Sequence, residues 1–153
     1  MKSYDAHVAD CRTLLSRRAA VVVPALESAG YELAEPVRAA SPFPAFTASS
    51  MDGYAVRVRD VPGRLRVVGE VAAGRLPAIE VGTGTAVRIM TGSPVPDGAE
   101  AVVRVEDTVA TGDEVEVAVA AQHGQNIRGA GEDVTTGDVL LDAGQVIGAA
   151  QIA

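Results

Sequence analysis

Asp52 and Gly53, inside the run Ser49-Ser50-Met51-Asp52-Gly53-Tyr54-Ala55-Val56-Arg57, are the residues of this chain best suited to chemistry. A carboxylate beside a glycine is most often a tight turn, because glycine tolerates backbone angles that a Cβ blocks. Here the pair follows Phe43-Pro44-Ala45-Phe46 and leads into apolar residues at 54, 56 and 58, the period of a half-buried strand. Phe43, Phe46 and Tyr54 are expected to anchor both arms of the loop in a core, which would hold the acid still for a ligand. Thr91-Gly92 is a second candidate. A hydroxyl with flanking amides can donate to an oxyanion and glycine lets a ligand come near, the alternative being a strand end with a satisfied hydroxyl. Glu132-Asp133 could bind a divalent cation or only solvate a turn, and Arg128 could pair with that carboxylate or with a phosphate. His7 and His123 have no partner at metal-binding spacing and read as surface residues; no Ser-His-Asp grouping, phosphate loop or zinc pattern is present.

The elements that must position these residues follow from periodicity and turn chemistry. Val8, Cys11, Leu15 and Ala19 recur at steps of three and four, with Asp5 near the start and Arg17-Arg18 near the end. That predicts an amphipathic helix with Cys11 on its core side. Pro24 to Ala29 suits a second, shorter helix closed by Gly30. Residues 31–37 alternate like an edge strand that Pro36 ends. From Tyr54 onward the pattern is strand, turn, strand, with Gly69 marking a bulge. Thr111-Gly112-Asp113-Glu114 reads as a hairpin turn between residues 102–105 and 115–119, and Asp142-Ala143-Gly144 as another between 139–141 and 146–147. The expected class is mainly β with N-terminal helices.

Composition narrows the function classes. A length of 153 residues suits one compact domain or two small ones, and with no Trp, two Phe and three Tyr the core must be aliphatic. Twenty acidic against thirteen basic residues give a net charge of −7, which repels phosphate backbones and argues against a nucleic-acid partner. The single cysteine, Cys11, rules out an intrachain disulfide and suits a reducing cytoplasm. No apolar signal region opens the chain, and the longest nonpolar run, residues 19–26, is broken by Pro24 and far short of a membrane span. A soluble, cytoplasmic protein is expected.

The motifs together resemble one family. Phe46, Ser49 and Met51-Asp52-Gly53-Tyr54-Ala55-Val56-Arg57 resemble the first signature of the molybdopterin molybdenumtransferases, the MoeA family, which includes the gephyrin E domain. Residues 88–99, Arg88-Ile89-Met90-Thr91-Gly92-Ser93-Pro94-Val95-Pro96-Asp97-Gly98-Ala99, look like its second signature, continued by Ala101-Val102-Val103 and Glu106-Asp107-Thr108. Asn126-Ile127-Arg128, Gly131-Glu132-Asp133 and Gly137-Asp138-Val139-Leu140 look like its third, and Leu33-Ala34-Glu35 also fits. One departure stands at Thr47 and Ala48, where the family usually has Asp-Asn.

The resemblance implies coiled, bifurcated β-sheets in two lobes, with residues 1–45 and 124–153 in one and 46–123 inserted as the other. It implies that the chain is the N-terminal region of a longer enzyme whose MogA-like and small β domains it lacks, and that it is inactive in isolation. The implied reaction inserts molybdenum from molybdate into adenylated molybdopterin and releases AMP, with Mg²⁺ as charge neutraliser. Asp52, Thr91 and Asp133 would be catalytic, Ser49, Gly53, Gly92 and Arg128 would bind substrate, and Asp52 or Asp133 could touch a metal. In the family this region faces the MogA-like domain of the partner subunit in a homodimer. A non-catalytic assembly module and an anion-binding β module are the alternatives.

Overall fold

The computed structural model of the protein describes every residue except 1, 17, 73 and 75–77. Its described residues divide into two compact units, 1–37 with 139–153, and 38–138.

The first unit opens with helix α1 (Tyr4–Thr13), whose N-cap Ser3 accepts a hydrogen bond from the Ala6 amide at 3.2 Å. None of its residues is buried, so Cys11 does not face a core; it is exposed, as are Leu14 and Leu15. The helix also stops earlier than the apolar spacing predicts. Without burial nothing sustains it beyond propensity, and the Thr13 hydroxyl donates back to the Asp10 carbonyl at 2.7 Å, an alternative to helical continuation. Arg17, expected near the helix end, lies outside the described residues. The second helix is a single 3-10 turn, Ala25–Glu27, after Pro24.

Residues 30–33 run antiparallel to 144–147: Gly30 and Leu33 amides donate to the carbonyls of Ile147 and Gln145, and Gly144 and Ile147 amides return bonds to Leu33 and Tyr31. The strand pattern at 31–37 is therefore real but interrupted before Pro36, after which β1 (Val37–Arg38) pairs with β10 (Val139–Leu141). Val146 bridges to Glu32, so Asp142-Ala143-Gly144 is not a hairpin turn between its own flanks. A short α2 (Ala149–Ile152) ends the unit.

In the second unit the strands are β2 (Ala48–Ser49), β3 (Gly53–Val56), β4 (Gly63–Val71), β5 (Thr85–Ile89), β6 (Ala101–Arg104), β7 (Thr108–Thr111), β8 (Glu114–Val117) and β9 (Ile127–Arg128). Six of them form a mixed sheet in the order β6-β3-β5-β4-β8-β7, with β4 and β5 parallel and the other neighbours antiparallel. The register of β4 slips between Val67 and Gly69, the bulge that the glycine marks. Gly112 and Asp113 make the expected two-residue turn, but it joins β7 to β8; residues 101–104 pair with β3 instead.

Both faces of the sheet are covered where β3, β5 and β6 lie, while β4, β8 and β7 expose one face. Tyr54, Val56, Leu65, Ala86, Val103, Val115 and Val117 pack on one side, and Ala55, Val71, Val81, Val87, Ile89 and Val102 on the other. β3 is consequently buried throughout rather than on one face, as its alternation would suggest. Valine suits this arrangement, since its branched side chain packs well on a pleated surface. The strand that leaves the Asp52 loop is thus fixed from both sides.

Candidate functional site

Of the three aromatic side chains expected to anchor the loop before β3, only Tyr54 does so. Tyr54 is buried at 4% exposure, but Phe43 and Phe46 are 62% and 40% exposed, because the aliphatic clusters on the sheet include neither ring. Main-chain bonds hold the loop instead. Phe43 bridges to Val134 with amide–carbonyl distances of 2.8 and 3.2 Å, and the Gly131 amide donates to the Pro44 carbonyl at 2.9 Å. Val95 donates to the Thr47 carbonyl, Gly92 to Ser49, Ser49 to Ser93 and Ser50 to Asn126, all between 2.8 and 3.0 Å. Ala48 is buried in β2, so positions 47 and 48, where the family's Asp-Asn is absent, both lie in this backbone clamp.

The clamp brings the two leading candidates together. Residues 90–93 form a turn in which the Ser93 amide donates to the Met90 carbonyl at 3.0 Å and Gly92 takes φ +79°, the left-handed value that a type II turn needs at its third position. Thr91, at the tip, donates both its amide (2.7 Å) and its hydroxyl (2.8 Å) to Asp52 Oδ1. Those two bonds, amide first, lower the pKa of Asp52, and the Arg88 guanidinium adds a weaker pull in the same direction. Asp52 is therefore ionised at neutral pH. Its Oδ2 accepts no hydrogen bond from the described residues, and both Asp52 and Thr91 are exposed. Thr91 has only one hydroxyl proton, and Asp52 takes it; towards a ligand Thr91 Oγ1 presents lone pairs.

Arg128 and Asp133 form a second pair. β2 and β9 place Arg128 opposite Ala48, Asn126 adopts φ 56° and donates its amide group to the Val102 carbonyl at 2.8 Å, and the Arg128 guanidinium forms an ion pair with Asp133. That hydrogen bond to Asp133 raises the pKa of Arg128, so the side chain stays charged at any working pH. No hydrogen bond or ion pair among the described residues joins this pair to Asp52 and Thr91. Of the remaining candidates, Ser49 is buried with its hydroxyl turned to the Met51 carbonyl at 2.6 Å, which shapes the loop from within. Gly53 is buried where a Cβ would overlap the Val103 carbonyl.

Two neighbours were not singled out from the sequence. Arg88 sits across from Tyr54 in the β3–β5 register and ion-pairs with Glu70 at 3.9 Å; a lone exposed cation in an otherwise buried strand was the available signal. Ser93 is fully buried and its hydroxyl has no hydrogen-bond partner among the described residues, a feature no sequence pattern announces.

These residues do not build a Mg²⁺ site from protein ligands alone. Among the described residues no three carboxylate, histidine or cysteine groups converge. Asp133 Oδ2 is taken by Arg128 and Asp52 Oδ1 by Thr91, so each carboxylate keeps one oxygen that could supply a single ligand, the rest of an octahedral Mg²⁺ shell coming from water and substrate oxygens.

A curled mixed sheet carrying a backbone-clamped loop, whose exposed acid is held by a threonine from a neighbouring strand end, defines a β module that presents a fixed carboxylate at an open surface. The chain belongs to the family described as the MoeA N-terminal region (domain I and II), whose family model matches residues 2–153. It is 37% identical over 154 residues to molybdopterin molybdenumtransferase 2 of Mycobacterium tuberculosis, covering 96% of this chain and 38% of that one. A molybdopterin molybdenumtransferase of Synechococcus elongatus is 40% identical over 131 residues (80% and 32% covered), and gephyrin of Dictyostelium discoideum 36% over 142 (82% and 20%). The crystal structure of the molybdopterin biosynthesis MoeA protein from Pyrococcus horikoshii OT3 matches with a TM-score of 0.80 at 36% identity, over 85% of this chain and 36% of that one. The chain thus spans between about a fifth and two fifths of the length of these relatives.

Proposed function

We propose that this chain forms part of an enzyme that inserts molybdenum from molybdate into adenylated molybdopterin, and that Asp52 and Thr91 act there as one unit. The observation that carries this reading is the pair of Thr91 hydrogen bonds on a single oxygen of an exposed, ionised Asp52, within a chain similar to molybdopterin molybdenumtransferases along most of its length. Asp52 is a poor proton acceptor at neutral pH, because its pKa is lowered away from the operating range that general bases need. Its role is to accept a hydrogen bond through Oδ2 from a substrate O–H or N–H group, with Thr91 fixing the carboxylate plane. Arg128 and Asp133 serve as a second, charge-paired contact for the same substrate.

The site is open on this chain, with Asp52, Thr91 and Asp133 all exposed. That exposure supports a second surface closing over it, the MogA-like domain of a partner subunit in a homodimer, in the cytoplasm. The geometry weighs against a free-standing anion-binding module: the Thr91 donors are taken by Asp52 and the Arg128 charge is met by Asp133. Genetic complementation tests the proposal. In cells without their own molybdenumtransferase, the protein carrying this chain restores molybdoenzyme activity and its Asp52→Asn variant restores little. Failure of the unmodified protein to restore activity would overturn it.

A further inference from the structure

Arg88 lies beside the Asp52–Thr91 unit with its charge only loosely met. In the β3–β5 register it stands opposite Tyr54, so Asp52, two residues before Tyr54, is its diagonal neighbour across the sheet, within reach of a long side chain. Asp52 feels that cation, which adds to the lowering of its pKa. On the other flank of Gly53, the β6 residue Arg104 is tied by two nitrogens to Asp107 Oδ2, both at 2.8 Å. Among the described residues Arg88, by contrast, donates no hydrogen bond, and its one ion pair, Nε to Glu70 Oε2, spans 3.9 Å between side chains that are each half exposed. An exposed pair of that length is worth little, so a better acceptor displaces Glu70 readily. We propose that Arg88 binds a phosphate oxygen of the adenylated substrate, leaving Glu70 for a paired, charge-assisted contact, while Asp52 Oδ2 accepts from a donor on the same molecule.

This inference rests on the proposed function and adds a residue and a substrate group to it. The charges choose the group. A free oxyanion such as molybdate meets both Arg88 and the ionised Asp52, so attraction by the one is offset by repulsion from the other. A phosphate carried on a larger molecule escapes that balance, because the same molecule can present an O–H or N–H to Asp52 Oδ2. Guanidinium suits the task, since its planar fork matches two phosphate oxygens and an ammonium does not. The competing account is a surface ion pair that joins β4 to β5 and touches no substrate.

Steady-state kinetics of molybdenum insertion by the protein that carries this chain separates the two. Arg88→Gln should raise KM for adenylated molybdopterin by about 10- to 100-fold, the loss of a hydrogen bond between charged groups, with KM for molybdate changed by less than about 2-fold. KM does not depend on the folded fraction, so a partly misfolded variant does not imitate the effect. Arg88→Lys, which keeps the charge but not the fork, should fall between the two. Glu70→Gln should lower the same KM by about 2- to 5-fold, because it frees Arg88 from a competitor worth no more than an exposed ion pair. A structural pair predicts no such gain. Unchanged KM for adenylated molybdopterin in Arg88→Gln, a rise shared with or confined to molybdate, or an unchanged or raised KM in Glu70→Gln would overturn the inference with the proposed function intact. No insertion by the unmodified protein would instead overturn the proposed function itself.

Discussion

Asp52 and Thr91 are 39 positions apart, and no spacing rule joins them; only the turn at 90–93 and the loop clamp bring the threonine to the acid. The resulting hydrogen bonds make a pH prediction. The folded pKa of Asp52 is depressed, so its stabilisation is complete above the unfolded value of about 3.9 and fades as pH falls through the lower folded value. Urea denaturation should therefore show a stability gap between the protein and Asp52→Asn that is constant above about pH 5 and shrinks below about pH 4. The pH–rate profile of the enzyme should contain no step from Asp52 between about pH 5 and 9. Ser93 gives the opposite kind of test. A buried hydroxyl without a partner costs about 1 kcal/mol or more, so Ser93→Ala should leave thermal stability unchanged or raise it by a few degrees.

At the scale of elements, two glycines of the site separate packing from conformation. Gly53 has no room for a Cβ against the Val103 carbonyl in a strand buried throughout, and Gly53→Ala should cost about 3 kcal/mol in chemical denaturation. Gly92 has open space but a left-handed φ, so Gly92→Ala should cost only about 1–2 kcal/mol, all of it backbone strain. Local signals were legible in the sequence: the Gly69 bulge and the Gly112-Asp113 turn each rest on residues whose chemistry acts on their own backbone. Non-local choices were not. The pairing of β6 with β3, the parallel β4–β5 contact and the burial of β3 on both faces depend on residues tens of positions away. The same holds for α1, whose spacing promises a buried face that the fold does not supply.

For the molecule as a whole, the site residues were named from the order of the motifs, whereas composition excluded classes and chose none. A net charge of −7 sits easily with a surface that offers a fixed carboxylate and pairs off Arg128. The most direct test is a double-mutant cycle on molybdenum insertion, measured with the protein that carries this chain. Asp52→Asn and Thr91→Ala should each slow insertion by about 10- to 100-fold, the loss expected for a hydrogen bond to a charged group. Combined, they should slow it no further than the worse single variant, as befits two residues acting as one unit. Losses that multiply, or unmodified rates from well-folded single variants, would contradict that unity.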